Sequence, residues 1–145
     1  MATVADILAV KGSHVLRIGR SATVLDAALV MNEHKVGALV VSDDGHVAGM
    51  FTERDVLRRV VGERRDPAVT RVEEVMTAEV VCCQRNTTLE EARAAMKNRR
   101  IRHLPVVDDD GKVNAVISIG DLNAYQATAQ EQTIHLLNEY LYGRV

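Results

Sequence analysis

The sequence predicts an α/β (α+β) fold made of two halves that share one core and are related by a pseudo-twofold axis. Three observations carry this. First, the chain repeats itself: shifted along itself by about half its length, Thr23, Ala27, Met31, Leu39 and Val41 fall on Thr88, Ala92, Met96, Leu104 and Val106 without a gap. Second, each copy alternates helical spacing with short apolar runs, the mixture from which layered α/β structures are built. Third, 145 residues make one ordinary domain, and two copies of roughly 60 residues would each bury too little surface to stand alone.

Taken in order, Val4 to Leu8 reads as a short helix and Val15 to Ile18 as a brief strand. An amphipathic helix beginning near Thr23 places Val24, Ala27, Ala28 and Met31 on one stripe. Ala38 to Val41 and Val47 to Phe51 flank Asp43-Asp44-Gly45-His46, whose Asp and Gly suit the tight turn of an antiparallel hairpin. A helix follows from Thr52 to about Val61. The second half repeats this order: a helix near Val72 to Met76, a strand at Val80 to Cys83, and a helix from about Thr88 to Asn98. Its hairpin joins Leu104 to Val107 with Val113 to Ile117, and a last helix starts at Ser118. The expected division is a first repeat at 1–62, a linker at 63–70, a second repeat at 71–127 and a helical tail at 128–145. The tail has no counterpart in the first half. Leu122, Tyr125, Ile134, Leu137 and Leu141 extend an apolar contribution along it, so it is expected to cap its own core, ahead of packing on a second subunit.

Composition narrows the function. The chain is 47% hydrophobic and 26% charged with a formal net charge of -2, as in soluble globular proteins. Neither a basic balance nor aromatic content for stacking points to nucleic acid. No apolar stretch approaches the roughly 20 residues of a membrane span and no signal-peptide layout opens the sequence, so a cytoplasmic protein is expected. His14, His34, His46, His103 and His135 lack metal-ligand spacing, and no catalytic set, phosphate loop or dinucleotide fingerprint stands out, so neither metal nor catalysis is expected. Cys82 and Cys83 are neighbours in a strand pattern where a vicinal bridge would be strained; they read as reduced and structural.

The candidate site residues close each apolar run: Thr52-Glu53-Arg54-Asp55 after the first hairpin and Ser118-Ile119-Gly120-Asp121 after the second. A hydroxyl followed three residues later by an acid is also a helix-capping signature, and one copy alone favours that reading. Its duplication, at the same distance from the same kind of strand, argues for a ligand as well. A helix start offers amide donors and a positive dipole end to a phosphate, and the Asp one turn further in can accept both hydroxyls of a ribose. In the cationic run Lys97-Asn98-Arg99-Arg100-Ile101-Arg102-His103, Lys97 and Arg99 suit the last turn of a helix, whereas Arg102 and His103 lie closer to the strand, where a cleft would open.

On these residues the chain resembles a tandem pair of CBS domains, the cystathionine beta-synthase type of regulatory module also called a Bateman module. The resemblance spans Val4 to about Tyr125. It rests on the doubled order of helix, hairpin and hydroxyl-x-x-Asp, on Thr52-Glu53-Arg54-Asp55, and on Arg102-His103-Leu104-Pro105-Val106. Thr133-Ile134-His135-Leu136-Leu137 is similar to the C-terminal segment of small stand-alone bacterial proteins of two CBS domains. The resemblance implies a βαββα unit in each half, and clefts that bind AMP, ADP or ATP, or in some members NAD(H) or S-adenosylmethionine. It also implies a flat homodimer and a regulated partner protein to which energy or redox state is signalled. Thr52 and Asp55 are then expected to grip a ligand whose base lies against Val80 and Val81 near Met50, with Arg102 and His103 facing its phosphate. A second site would pair Ser118 and Asp121 with Val15, Leu16 and Gly37, with Arg54 adding phosphate charge. Because Gly37-Ala38 stand where the other half has Arg102-His103, the Asp55 site is expected to fill first with an AMP-like ligand. The competing expectation is a scaffold: both aspartates cap helices, and the chain binds another protein without nucleotide.

Overall fold

A computed structural model describes residues 1–142, with the side chains of 131, 132, 135 and 138–142 outside the description. The elements run α1 (Val4–Lys11), β1 (Arg17–Gly19), α2 (Val24–His34), β2 (Ala38–Asp43), β3 (His46–Thr52) and α3 (Glu53–Asp55, continuing as a π-helix over Val56–Val61). They continue with α4 (Val72–Val75), α5 (Leu89–Arg99), β4 (His103–Val107), β5 (Val113–Ser118) and α6 (Ile119–Tyr142). β1 pairs parallel with β2 and β2 antiparallel with β3; β4 and β5 form a second, antiparallel pair. Both hairpins fold where the sequence expects them. In the first, Asp44 and Gly45 take φ of 51° and 83°, the two-residue turn that follows the right-handed twist of its strands.

The second half lacks the leading strand expected at Val80 to Cys83. Only Cys83 pairs there, in an isolated parallel bridge to Val106. Proline explains the difference. In the first half the Val40 amide donates to the Leu16 carbonyl at 3.1 Å; the counterpart of Val40 in the repeat is Pro105, which has no N–H to donate. The ladder therefore shrinks to the two bonds on either side of Cys83, its amide to the Pro105 carbonyl and the Val107 amide to its own carbonyl, both 2.9 Å. The βαββα order is complete only in the first half.

The packing exchanges the leading helices. Val4, Ile7 and Leu8 of α1 are buried with Ala92, Met96, Leu104, Ile117 and Leu122 of the second half. Val72 and Val75 of α4 are buried with Val24, Met31, Leu39 and Phe51 of the first. Backbone bonds fix both: the Val4 amide to the Thr87 carbonyl at 2.9 Å and the Val72 amide to the Ala22 carbonyl at 2.8 Å. Between the halves, Val40, Met50 and Val113 form a third buried cluster with Val15, Val47, Val80 and Val116 against it. The residues just after α1 and α4 are thereby carried to the Asp-bearing turn of the opposite half.

The tail departs from expectation. α6 reaches Tyr142, but among the described residues its core contacts end with Leu122 and Tyr125, and Ile134, Leu136 and Leu137 are exposed. The described side chains of the tail therefore do not cap the core. Leu141 and His135 have side chains outside the described residues.

Candidate functional site

Both Asp motifs cap their helices. The Asp55 amide donates to Thr52 Oγ1 at 3.3 Å and the Thr52 amide to Asp55 Oδ2 at 3.0 Å. The Asp121 amide donates to Ser118 Oγ at 3.1 Å and the Ser118 amide to Asp121 Oδ2 at 2.8 Å. The hydroxyl also caps α2 at Thr23 and α5 at Thr88, each accepting an amide three residues on at 3.1 Å. A hydroxyl-x-x-acid therefore marks five helix starts among the described residues, Thr3-x-x-Asp6 of α1 included, and duplication alone does not single out a ligand contact.

Burial and partners set Asp55 apart. It is 4% exposed, and the Thr77 hydroxyl, arriving just after the exchanged α4, donates to Oδ1 at 3.1 Å and to Oδ2 at 3.4 Å. The Thr52 hydroxyl donates to Oδ2 at 3.2 Å. Arg59 stands with Nε 3.9 Å from Oδ1 while its Nη1 donates to the Met76 carbonyl at 2.7 Å. Asp55 opens on a cleft of about 790 Å³ between the halves. Met50, Thr52, Val80, Val81, Arg102 and His103 line the same cleft, as do Gly37 and Arg54. Arg58, Arg59, Arg99 and Arg100 bring its arginines to six, against the carboxylates of Glu53, Asp55 and Glu79. Among the described residues, Arg59 is the one of these six with a carboxylate within 4.0 Å.

Of the residues expected at the second site, Gly37 and Ser118 share a cleft. A neighbouring cleft of about 570 Å³ is lined by Gly37, Ser118, Lys35, Glu53, Arg102 and His103 among others. Asp121, Val15 and Leu16 line neither cleft. Val15 packs at the seam and Leu16 against the first-half core. Arg54, expected at this second site, lines the Asp55 cleft instead, because it lies in the first turn of the helix that Thr52 caps, and its Nη1 donates to the Arg100 carbonyl at 3.3 Å. Asp121 itself is held by Lys11, whose Nζ lies 2.6 Å from Oδ2 and 2.7 Å from the Val116 carbonyl. Burial acts to raise the Asp121 pKa, but the Lys11 and Ser118 bonds outweigh it and leave the carboxyl below its ordinary value. Burial, aided by the Lys11 charge, holds His103 below its ordinary value.

Thr77 and Lys11 were not legible as site residues. Neither belongs to a short motif, and what brings each to its aspartate is the helix exchange. The cysteines are free, Cys82 exposed and Cys83 buried. Burial, and then the neighbouring Cys82, push the Cys83 thiol up to about 12, which disfavours the reactive thiolate.

Two helix-and-hairpin halves with exchanged leading helices and a cleft at their seam define a tandem-repeat α/β module. Residues 4–62 and 72–127 match the CBS domain family, and the chain belongs to it as a pair of CBS repeats. The CBS domain-containing protein YhcV of Bacillus subtilis is 35% identical over 126 residues, 87% of this chain and 89% of its own length. A solved CBS-domain protein from Burkholderia ambifaria superposes with a TM-score of 0.84 at 41% identity, covering 89% of this chain and 96% of that one. The CBS pair of protein MJ0100, solved in complex with 5'-methylthioadenosine and S-adenosyl-L-methionine, shares the fold at 22% identity with a TM-score of 0.77, over 86% of this chain and 98% of its own. Among the described residues no helix is long and apolar enough to cross a membrane.

Proposed function

We propose that this CBS pair is a non-catalytic regulatory module that takes up a phosphorylated adenosine, AMP, ADP or ATP, in the cleft at Asp55 and signals its presence to a partner protein. One observation carries the reading: six arginines surround a single cleft in a chain of net charge -2, five of them without a carboxylate partner among the described residues. Guanidinium forks match phosphate oxygens, and a cationic cleft concentrates anions. Val80, Val81, Ile101 and Met50 supply apolar walls for a base. The hydroxyl partners of Asp55 are neutral and rotate freely, so they can yield the carboxylate to a sugar hydroxyl at little cost. The adenosine derivatives bound by MJ0100 support an adenosine moiety, while the arginines favour phosphorylated ligands over a neutral thioether or a sulfonium cation. NAD(H), which also carries phosphate and adenosine, belongs to the same class.

The test is a thermal-shift and calorimetry panel of AMP, ADP, ATP, NAD(H), 5'-methylthioadenosine and S-adenosylmethionine. Phosphorylated members are expected to raise the melting temperature most. The affinity of the best of them should fall about tenfold or more with Asp55→Asn and with Arg102→Gln, since a charge-assisted bond contributes about 1.5 to 3 kcal/mol. A panel in which none shifts the melting temperature overturns the reading in favour of the scaffold. Exposed Leu25 and Leu29 on α2, Leu57 and Val61 on α3, and Ile134, Leu136 and Leu137 on α6 support self-association through helices. Light scattering should accordingly report twice the chain mass; a monomer speaks against the homodimer.

A further inference from the structure

The two halves present their aspartates with different partners. Met50 and Val116 each stand five residues ahead of their aspartate. In the first half the Thr77 amide donates to the Met50 carbonyl at 2.8 Å and the Thr77 hydroxyl to Asp55 at 3.1 Å. In the second half one ammonium makes both kinds of contact, with Lys11 Nζ donating to the Val116 carbonyl at 2.7 Å and to Asp121 at 2.6 Å. The corresponding place is filled by a neutral residue on one side and by a full positive charge on the other. A sugar hydroxyl that takes the place of the Thr77 hydroxyl exchanges one neutral donor for another. One that displaces Lys11 exchanges a charge-assisted bond, about twice as strong, for a neutral one, and leaves the ammonium without its carboxylate. The cleft of about 570 Å³ on that side reaches Ser118, Ile119 and Gly120 and stops short of Asp121.

We propose that Lys11 closes the second half to nucleosides, so that the pair takes up one ligand per chain, at Asp55. This rests on the reading of the Asp55 cleft given above and adds the residue that sets stoichiometry. Lys11 lies on α1, which the helix exchange carries into the second half, so its own repeat does not contain the aspartate it neutralises.

The experiment is calorimetric titration of the full chain with AMP. Wild type is expected to bind one AMP per chain and to lose it with Asp55→Asn. Lys11→Met, which keeps the aliphatic stem and removes the charge, should bind two. Lys11→Met with Asp55→Asn should keep one, lost when Asp121→Asn is added. Lys11→Ala serves in the same way if the methionine variant does not fold. Two AMP per wild-type chain, or one per Lys11→Met chain, overturns the proposal. If wild type binds none, the reading of the Asp55 cleft fails instead, and Lys11→Met decides separately: one AMP per chain supports a lysine plug, and none overturns it.

Discussion

His103 stands where the two clefts meet, lining both, and its ring titrates in a range that experiments reach easily. Burial, then the Lys11 charge, depress its pKa below 6.5, against partial opposition from Asp121 and Glu53. The native state thus binds this proton less readily than the unfolded chain. The stability associated with a neutral His103 is present above pH 6.5 and is lost as pH falls toward the native value, where the loss levels off. His103→Gln should flatten that part of the slope, measured by denaturant unfolding above pH 6.5 and about one unit below it; an unchanged slope would show that His103 does not contribute. A phosphate beside the ring acts in the opposite direction, favouring the imidazolium. The AMP phosphate, with a second pKa of about 6, titrates in the same range, so the His103 contribution is the difference between wild type and His103→Gln: wild type should take up more protons on binding AMP as pH falls through this range. Buffers of different ionisation enthalpy make the proton uptake visible in calorimetry.

At the scale of elements, the Asp55 site depends on how closely the segment after α4 approaches β3. Gly49 makes that approach possible. A Cβ there would lie 2.6 Å from Met76 Sδ and 2.8 Å from the Thr77 carbonyl oxygen. The methionine can swing aside, but the Thr77 carbonyl accepts the Met50 amide at 2.9 Å and cannot. Gly49→Ala should destabilise the chain by about 1 to 3 kcal/mol, as overpacking does, and weaken AMP binding by shifting the segment after α4, whose Val80 and Val81 wall the cleft. Loss of stability with unchanged AMP affinity would separate this segment from the site. The same elements mark the limits of sequence reading. Hairpins and amphipathic helices were legible because apolar spacing and turn residues are local signals. The missing strand at Val80 was half-legible, since Pro105 was in plain view but its consequence depends on which strand lies beside it. The cleft-lining set Met50, Thr52, Asp55, Val80, Val81, Arg102 and His103 was foreseen through family resemblance. Thr77, Lys11 and the cleft that Arg54 lines were not, because helix exchange is a long-range packing outcome without a local signature.

Over the whole molecule, the exchange and the seam join the halves through shared buried clusters, which predicts that they unfold together. Each half obtains part of its core from the other, Val4, Ile7 and Leu8 in one direction and Val72 and Val75 in the other. A half of roughly 60 residues deprived of that contribution falls in the marginal size range. Val113 tests the point because it is 2% exposed and packs at the seam with Val40 and Met50 of the first half. Val113→Ala removes two carbons from this cluster and leaves a cavity, at a cost of about 1.5 to 3 kcal/mol. If the seam couples the halves, hydrogen exchange of the most protected amides in β2 and in β4 should accelerate by the same factor, although the substitution lies in the second half alone. A ligand in the Asp55 cleft touches both halves, so AMP should slow exchange equally in both strands, by about 2.7 kcal/mol at a hundredfold excess over Kd. Faster exchange confined to β4 and β5 would mean that the repeats open independently, and a nucleotide bound at the seam would then have no single equilibrium to bias and no route by which occupancy reaches a partner.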